Sequence, residues 1–526
     1  MPRSDHLRLL FSAAVILFFL LHSLMYFSSR LDDAFIFGRY AHNLVTYGDL
    51  VWNPGGPRVE GFSSWLWLAV YVVGEMLPVE SLLIAKYVGL AVGCLLVFSF
   101  GRALRLSGVN EPRLLGAVLC LASYPPLAFF SSSGMDHVAW ALVSWWYLTW
   151  LSSAPMITVR HAIPAGLGLL VRPEGFLLLV PLIALVALGK RRSGRIRVVG
   201  AALGVMLPIL ATRFALFHQL LPNAAAAKHL GGHLGLRLLE GSLYLAPSAG
   251  WLLLPLGVAL AFATPRLEIP SWWEESLAAR RLLLASLAYL AASVLFILVA
   301  GGDDSSAFGP SRLLVPLAAP SLFVLFVLLD RISASRTWIL VISILFVFWQ
   351  SLNGKTYFQI ATDATNLASI DDLTSRMARG FLSTPVHPLT SYLLRLTPPG
   401  EFVAIPWAGL VPYQTRLPTI DLLGLNDPKI AHTPVKDRAI SSIRYGSDLV
   451  IAQAPFFICD NFRLDAPLSE VAEMSDEELR SLGAFKSGQR DLLRHPRLQH
   501  LYTIASEAPI NGTCLRRRGS ASPGTG

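Results

Sequence analysis

The chain has 526 residues, of which 54% are hydrophobic and only 15% are charged, a composition that excludes an ordinary soluble enzyme and indicates a membrane protein. The net charge of +9 could point to nucleic acid, but residues 351–526 hold 18 Lys+Arg against 17 Asp+Glu. The excess therefore lies in the apolar part, where basic residues report topology, and no nucleic-acid partner is expected.

Apolar stretches long enough to cross a bilayer recur through the first 350 residues. We predict eleven spans, at 7–27, 82–101, 114–131, 138–152, 161–171, 176–189, 197–217, 246–265, 282–300, 313–330 and 337–350. The first is read as a retained span, because the residues after it form a poor signal-peptide cleavage site. The run 62–77 is expected to be an interfacial or re-entrant helix within a large first external loop, 28–81.

The basic residues predict how the bundle is oriented. With the N-terminus inside, the inner loops carry 16 Lys+Arg, and the outer loops before residue 351 carry seven. By the positive-inside rule the N-terminus is cytoplasmic, and eleven spans then place the C-terminal part outside.

The C-terminal part is predicted to be an extracytoplasmic α/β domain, 351–515, followed by a disordered tail, 516–526. We expect short strands at 401–406, 417–421 and 448–452, and helices at 363–382, 387–396 and 469–482. Cys459 and Cys514 both lie in this domain, where a disulfide is permitted. The predicted fold class is thus an α-helical polytopic membrane protein, 1–350, with a C-terminal α/β domain.

Polar residues gather at the predicted outer ends of the spans. They are Asp32, Asp33, Arg39, Glu60, Asp136, Arg172, Glu174, Asn223, Lys228, Asp303 and Arg312. Placing one ionisable group near hydrocarbon costs about 2.5–3.5 kcal/mol, so such groups usually line a cavity or pair with one another. Any single one can simply end a helix at the water boundary, and Arg172 with Glu174 can be a structural ion pair. Together they predict one shared external cavity.

The adjacent carboxylates Asp32 and Asp33 suit a general base or a divalent-metal ligand. Neighbouring residues in a helix point about 100° apart, so one can face the site while the other holds an arginine. Residues 33–45 are amphipathic, which predicts a helix along the membrane surface. Arg172, Lys228 and Arg312 are candidates to bind a phosphate group. This set suits group transfer from a lipid-linked phosphate.

At these residues the sequence resembles the GT-C superfamily of integral-membrane glycosyltransferases, most closely the bacterial branch with terminal arabinofuranosyltransferases of the cell envelope. The segments that carry the resemblance are DDAFIFGRYAHNLVTYGDLVWNPGGPRVEGFSSWLW (32–67), SGMDHV (133–138), RPEG (172–175), LPNAAAAK (221–228), GGDDSSAFGPSRLLVP (301–316) and IDLLGLNDPKIA (420–431).

The resemblance implies a bacterial inner-membrane enzyme that moves a sugar, arabinofuranose or a hexose, from a polyprenyl phosphate to an extracytoplasmic glycan, lipid or protein. It implies a first-loop acid as general base, with Asp33 favoured and Asp32 as its partner or as a metal ligand if a divalent cation is used. Asp421 and Asn426 are candidates to contact the acceptor, although turn geometry alone also accounts for them.

Two other function classes stay open from the residues alone. A membrane transporter or lipid flippase with an outward-facing polar cavity is the main alternative, although its polar residues would more often lie at mid-membrane in related halves. A noncatalytic assembly protein would tolerate the loss of both Asp32 and Asp33.

Overall fold

The computed structural model describes residues 3–187, 192–229, 234–248, 276–303, 312–331, 386–433, 445–505, 508 and 512–519. The span predicted at 337–350 and the helix predicted at 363–382 lie outside these residues, as does most of the span predicted at 246–265. The described part before residue 332 is helical. Its helices are α1 (Arg3–Leu24), α2 (Asp32–Tyr47), α3 (Trp65–Glu75), α4 (Ser81–Leu106), α5 (Glu111–Ala122), α6 (Pro125–Ser132), α7 (His137–Ser153), α8 (Val159–Val171), α9 (Leu179–Ala187), α10 (Arg192–Phe217), α11 (Asn223–His229), α12 (Leu234–Ser248), α13 (Leu277–Ala300) and α14 (Val315–Arg331).

Four stretches of the described chain are long and apolar enough to cross a membrane. They are Ser81–Leu106, Gly194–Phe217, Leu277–Ala300 and Arg312–Leu329, and α5 with α6 makes a fifth if this bent pair is one span. The chain is therefore a multi-pass membrane protein, as predicted. The count of eleven spans stays a prediction.

The stretch predicted as one span at 114–131 is broken in the structure. Helix α5 ends at Ala122, α6 begins at Pro125, and the two axes are bent by 51°. Pro125 and Pro126 cause the break, because a proline has no N–H to donate and disfavours helical backbone in the residue before it. The span predicted at 114–131 therefore corresponds to a bent pair of helices, and whether the pair forms one span stays a prediction.

The predicted break at 172–175 is confirmed. Helix α8 ends at Val171, Arg172 has extended backbone, and a 3₁₀ helix runs over Pro173–Leu178 before α9. The chain folds back tightly, since a Cβ on Gly175 would lie 2.2 Å from the carbonyl oxygen of Gly168. Only glycine fits there, and the turn places Arg172 and Glu174 side by side.

The first loop is built on α2 and α3. Helix α2 ends at Gly48, which adopts φ +71°, and Ser64 caps α3 by accepting from the N–H of Trp67. The run 62–77 thus contains an 11-residue helix, too short to be a full span. Most of α2 is buried, packed between α3 and the C-terminal domain. Helix α2 is therefore largely covered by the rest of the protein, and it does not present one polar face to solvent.

The C-terminal domain is α/β, as predicted. Its helices are Pro388–Leu396, Leu410–Thr415, Pro428–Ala431, Ser447–Gln453, Leu468–Glu473, Asp476–Ser481, Ser487–Leu493 and Leu498–Leu501, and its strands are β1 (Val403–Ile405), β2 (Thr419–Asp421), β3 (Phe457–Asp460), β4 (Tyr502–Ala505) and β5 (Thr513–Arg517). The strands form one mixed sheet in the order β2-β1-β3-β5-β4, in which β1 is parallel to β2 and β3. Strands β3–β5 and β4–β5 are antiparallel.

Apolar side chains cover both faces of this sheet. Val403 and Ile405 of β1 join one cluster and Ala404 joins the other, as the alternation of a strand requires. Cys459 and Cys514 are paired in register on β3 and β5 and form a disulfide.

Three expectations for this domain need correction. The stretch 448–452, predicted as a strand, lies in the helix Ser447–Gln453. The predicted helix at 469–482 is two short helices separated at Ser475, which caps the second one. Strand β5 includes Arg516 and Arg517, so these residues belong to the sheet rather than to a tail. Arg516 and Arg517 form a strand because they pair with distant strands. Local composition does not reveal such pairing.

Candidate functional site

The N-terminus of α2 carries the predicted catalytic pair. Arg312 Nη1 donates to Asp33 Oδ2 at 2.8 Å, and Arg312 Nε binds the carboxylate of Asp303. Asp33 keeps 37% of its side chain exposed. Two glycines with positive φ, Gly301 and Gly302, turn the chain after α13 so that Asp303 reaches this group. Two predicted carboxylates, Asp33 from the first loop and Asp303, thus meet around the guanidinium of Arg312.

Asp32 has a different environment, although it is the next residue. Its two carboxylate oxygens accept the backbone N–H groups of Gly409 at 2.9 Å and Leu410 at 2.8 Å, both from the C-terminal domain. Burial raises the pKa of Asp32 to about 7, and the negative charges of Asp33 and Asp421 add to the rise. Asp32 therefore fastens α2 to the C-terminal domain, whereas the side chain of Asp33 is partly exposed.

A second group of charges joins the predicted outer turn to the α8 break. Arg172 donates from Nη1 to Asp136 Oδ1 at 2.6 Å and from Nε to Glu174 Oε1 at 2.5 Å. Ser63 of the first loop donates to Asp136 Oδ2 at 2.9 Å. Burial raises the pKa of Asp136, and the positive charges of Arg172 and Arg312 partly offset this. The first loop, through Ser63, thus contacts this second group directly.

The third group holds Glu60 and an arginine that the sequence analysis passed over. Glu60 Oε1 accepts from Trp65 Nε1 at 2.9 Å, and Glu60 Oε2 lies 2.7 Å from Arg213 Nε. Burial raises the pKa of Glu60 to about 7, against the opposing charge of Arg213. The backbone carbonyl of Glu60 also accepts from the N–H of Asn223 at 2.9 Å.

The position of Arg213 inside a predicted span is a sequence signal that identifies it as a candidate. The first 350 residues contain 25 Lys+Arg, and the predicted loops account for 23 of them. The remaining two, Lys86 and Arg213, lie inside predicted spans, where an ionisable residue is a functional candidate by default. Lys86 has a structural explanation, because its Nζ donates to the carbonyls of Phe27 at 2.6 Å and Ser29 at 2.8 Å just after α1.

Arg39 connects the first loop to the C-terminal domain. It is buried and donates to the carbonyls of Trp52 at 2.7 Å, Leu417 at 2.8 Å and Pro412, and to Asn53 Oδ1 at 2.8 Å. These partners are all neutral oxygens, and they occupy Nε and both Nη groups. The structure thus gives Arg39, predicted to bind substrate, a part in domain docking.

Asp421 and Asn426 shape the turn after β2. Asp421 Oδ2 accepts from the backbone N–H and the side-chain amide of Asn426, at 2.8 and 3.0 Å, and Oδ1 accepts from the N–H of Leu423 at 2.9 Å. Tyr40 on α2 donates to Asn426 Oδ1 at 3.1 Å. These contacts agree with the alternative explanation, that Asp421 and Asn426 are present because they stabilise the turn. Asn426 also contacts α2.

Asn223 is buried at the start of α11 and donates to the carbonyls of Gly424 at 2.7 Å and Leu425 at 3.0 Å. It therefore holds α11 against the same turn. Lys228 lies on α11, and its side chain is outside what the structure describes.

These donor sets do not fit a metal site at Asp32 and Asp33. Both oxygens of Asp32 already accept backbone N–H groups, and Asp33 pairs with a guanidinium. Among the described residues, no group of three or more His, Cys, Asp and Glu is arranged to hold a cation.

The architecture has a counterpart among solved structures. The crystal structure of ArnT from Cupriavidus metallidurans bound to undecaprenyl phosphate matches with a TM-score of 0.52 and 12% sequence identity, over 99% of each chain. The chain has a GT-C-type fold. The apo structure of that ArnT matches with a TM-score of 0.48 and 13% identity, over 97% of this chain and 98% of that one.

At this identity the likeness concerns the fold alone, and the arabinofuranosyltransferase branch stays a prediction. Residues 379–502 match a family model described as a domain of unknown function, DUF8728, which covers most of the described C-terminal domain. No curated protein matches the chain.

Proposed function

We propose that the protein is a glycosyltransferase that takes a sugar from a polyprenyl-phosphate donor and transfers it to an acceptor hydroxyl outside the bacterial cytoplasmic membrane. The observation that carries the proposal is the environment of Asp33. It is a partly exposed carboxylate that pairs with Arg312 at the first turn of α2, in a helical bundle that also holds the buried ion pairs Arg172–Asp136 and Arg213–Glu60. The fold shared with a structure that binds undecaprenyl phosphate supports the same conclusion.

In the proposed reaction, the acceptor oxygen attacks the anomeric carbon of the donor while its proton passes to the Asp33 carboxylate. The bond between the anomeric carbon and the phosphate oxygen breaks, and its electron pair leaves with the polyprenyl phosphate. The departing phosphate is already a good leaving group and needs cationic or hydrogen-bonding groups rather than an acid. Arg312 positions the Asp33 carboxylate, the proposed base, through Nη1. Asp303 in turn binds Nε of Arg312.

The positions of the charged groups favour this enzyme over a transporter. Asp33, Asp136 and Arg172 each lie at a helix end, and Arg213 lies in the last two turns of α10. A transporter site is usually formed by broken helices at mid-membrane. We propose that this end faces the outside, with the donor sugar being arabinofuranose or a hexose.

The test is sugar transfer from synthetic polyprenyl-phosphate donors by the purified full-length protein, with Asp33→Asn compared to Asp32→Asn. We expect Asp33→Asn to lower transfer by about 10²–10⁴-fold, the usual contribution of a positioned base. Asp49→Asn is the matched control, because Asp49 is an exposed acid of the same loop that pairs only with Arg58 among the described residues. Wild-type transfer in a folded Asp33→Asn variant would show that the base is another residue.

A further inference from the structure

Lys86 is a charged side chain buried in a helix that is long and apolar enough to cross the membrane. It lies in the second turn of α4 and is 3% exposed. Its Nζ donates to the carbonyls of Phe27 at 2.6 Å and Ser29 at 2.8 Å. Such a position is costly for an ionisable group, so a lysine there usually has a defined task. Here the task is to bind two backbone carbonyls from one stretch of chain.

Phe27 and Ser29 belong to the short linker between α1 and α2, residues 25–31. The linker is packed into the bundle, because Phe27 shares a buried cluster with two leucines of α4 and Ser29 is 3% exposed. Leu31, at the N-cap of α2, makes no side-chain capping bond. Lys86 therefore gives the linker an anchor that the N-cap residue of α2 does not supply through its own side chain.

Helix α4 is held closely by two neighbours on the face that carries Lys86. Gly89 and Gly93 follow Lys86 by three and seven residues, so all three lie on one side of the helix. A Cβ added at Gly89 would clash with the carbonyl of Ser131 on α6. A Cβ added at Gly93 would lie 2.8 Å from the ring of Phe19 on α1. This close packing fixes α4 against α1 and α6, and with it the position of the ammonium group.

Two anchors hold the chain on either side of Asp33, which follows Ser29 by four residues. The carboxylate of Asp32 fastens α2 to the C-terminal domain. Lys86 fastens the chain before α2 to the bundle. Arg312, whose Nη1 is 2.8 Å from Asp33, directly precedes α14 and so belongs to the bundle. The contact between Asp33 and Arg312 therefore depends on the anchor at Lys86.

We propose that Lys86 is a positioning residue for sugar transfer, because its contacts with the linker fix where the Asp33 carboxylate lies beside Arg312. This inference rests on the proposed function, in which Asp33 is the base. Lys86 touches no reacting atom and acts only through Asp33. Its loss lowers the rate because a shift of about 1 Å in a catalytic group can cost about 10²-fold.

The experiment measures kcat and KM for sugar transfer by the purified full-length protein, for wild type, Lys86→Met, Lys86→Gln and Lys86→Arg. We expect Lys86→Met to lower kcat about 10–100-fold and to change KM for the donor less than about threefold. Lys86→Arg can still donate to two carbonyls and should regain part of the rate. Lys86→Gln keeps one donor group and replaces Lys86→Met if that variant does not fold. Arg102→Gln, an exposed basic residue near the other end of α4, is the control.

A double-mutant cycle separates the positioning of Asp33 from a general loss of stability. If Lys86 acts through Asp33, Lys86→Met should lower the residual transfer of an Asp33→Asn protein less than about twofold, because the base that it positions is gone. A purely structural role predicts that the losses of the two variants multiply, and that outcome overturns the proposal. An unchanged kcat in the folded Lys86 variants overturns it as well.

Hydrogen exchange gives a second readout that needs no transfer. The backbone N–H groups of Ser29 and Ala34 donate to carbonyls within the linker. In Lys86→Met we expect both to exchange faster than in wild type, while exchange in α10 stays unchanged. Equally slow exchange of Ser29 and Ala34 in the two proteins contradicts the anchoring role of Lys86.

Because exchange is measured without transfer, the two proposals fail separately. Faster exchange in Lys86→Met, in a protein that transfers no sugar from any polyprenyl-phosphate donor, contradicts the proposed function alone. Active transfer by wild type with full kcat in folded Lys86→Met and Lys86→Gln contradicts this inference alone.

Discussion

Asp32 and Asp33 show how two adjacent, chemically identical residues acquire different tasks. The helical rotation of about 100° between them directs one carboxylate to the C-terminal domain and the other to Arg312. The sequence predicts that one acid faces the site while the other holds an arginine. In the structure the acid that holds an arginine is Asp33, whose side chain is also the partly exposed one, and Asp32 accepts backbone N–H groups instead. The role of Asp33 as the base stays a prediction.

Buried carboxylates predict an unusual pH dependence of stability. Burial raises the pKa of Asp32 from 3.8 to about 7, of Glu60 from 4.5 to about 7 and of Asp421 from 3.8 to about 6. At pH values between the ordinary and the raised pKa of each carboxyl group, the folded state binds more protons than the unfolded state. The free energy of unfolding therefore falls as pH rises through this range. We expect the unfolding temperature in detergent to be higher near pH 5 than near pH 8.

Asp32→Asn should flatten this pH profile, because the amide does not titrate. Asp448→Asn is the matched control, since the Asp448 side chain is 98% exposed. An unfolding temperature that rises steadily from about pH 5 to pH 8 would contradict the assignment.

At the scale of elements, α2 determines how the bundle meets the C-terminal domain. Asp32, Arg39 and Tyr40 all lie on this helix and reach residues 409–426. The amphipathic pattern of residues 33–45 correctly predicted a helix. The pattern did not show what would cover it, because a polar residue that faces water and one that meets a backbone carbonyl look alike in sequence. Residues nearly 400 positions apart make these contacts.

A substitution at Gly61 tests directly how α2 and the first loop dock against the C-terminal domain. A Cβ at this position would lie 1.8 Å from Asn426 Oδ1 and 2.9 Å from the Tyr40 hydroxyl. Gly61→Ala should therefore lower stability by about 1–3 kcal/mol, as overpacking does, and make the C-terminal domain more sensitive to protease. Gly200→Ala, on α10 with no atom within 4 Å of its added Cβ, should be neutral or slightly stabilising. Equal protease sensitivity of the two variants would show that Gly61 is not at a tight contact.

At the scale of the whole molecule, the disulfide and the charge distribution make the same prediction about topology. Cys459 and Cys514 are bonded between β3 and β5, and disulfides persist in oxidising compartments. The excess of basic residues in the predicted inner loops, with eleven predicted spans, independently predicts that this domain lies outside. The argument from the disulfide and the argument from the basic residues depend on different residues.

The topology can be checked on intact cells with a membrane-impermeant thiol reagent. In a Cys94→Ser, Cys120→Ser background, we expect no labelling before reduction and labelling of Cys459 or Cys514 after reduction under mild denaturant, because both side chains are buried. The matched variant Cys459→Ser should expose the thiol of Cys514 to the reagent once the domain opens under mild denaturant. Labelling only after the membrane is permeabilised would place the domain inside the cell.

The sequence by itself determined the class of protein, the helical bundle, the α/β character of the C-terminal domain and most of the charged residues of the site. Long apolar runs and isolated polar residues within them are local properties, and a bilayer leaves the backbone few alternatives to a helix. The break at 172–175 belongs to the same group, because proline and glycine act on their own neighbours.

Apart from Arg172 with Glu174, a local pair that the sequence suggests, only the tertiary structure decided which charges pair, through contacts that no local pattern contains. Asp33 with Arg312, Asp136 with Arg172 and Glu60 with Arg213 join segments 279, 36 and 153 residues apart. The same reason explains why residues 516–517 form part of a strand and why 448–452 are a helix. The unpaired Nη groups of Arg213 likewise follow from burial and from hydrogen-bond partners within the described residues, because an unpaired buried donor is a property of the packed fold and not of the residue type.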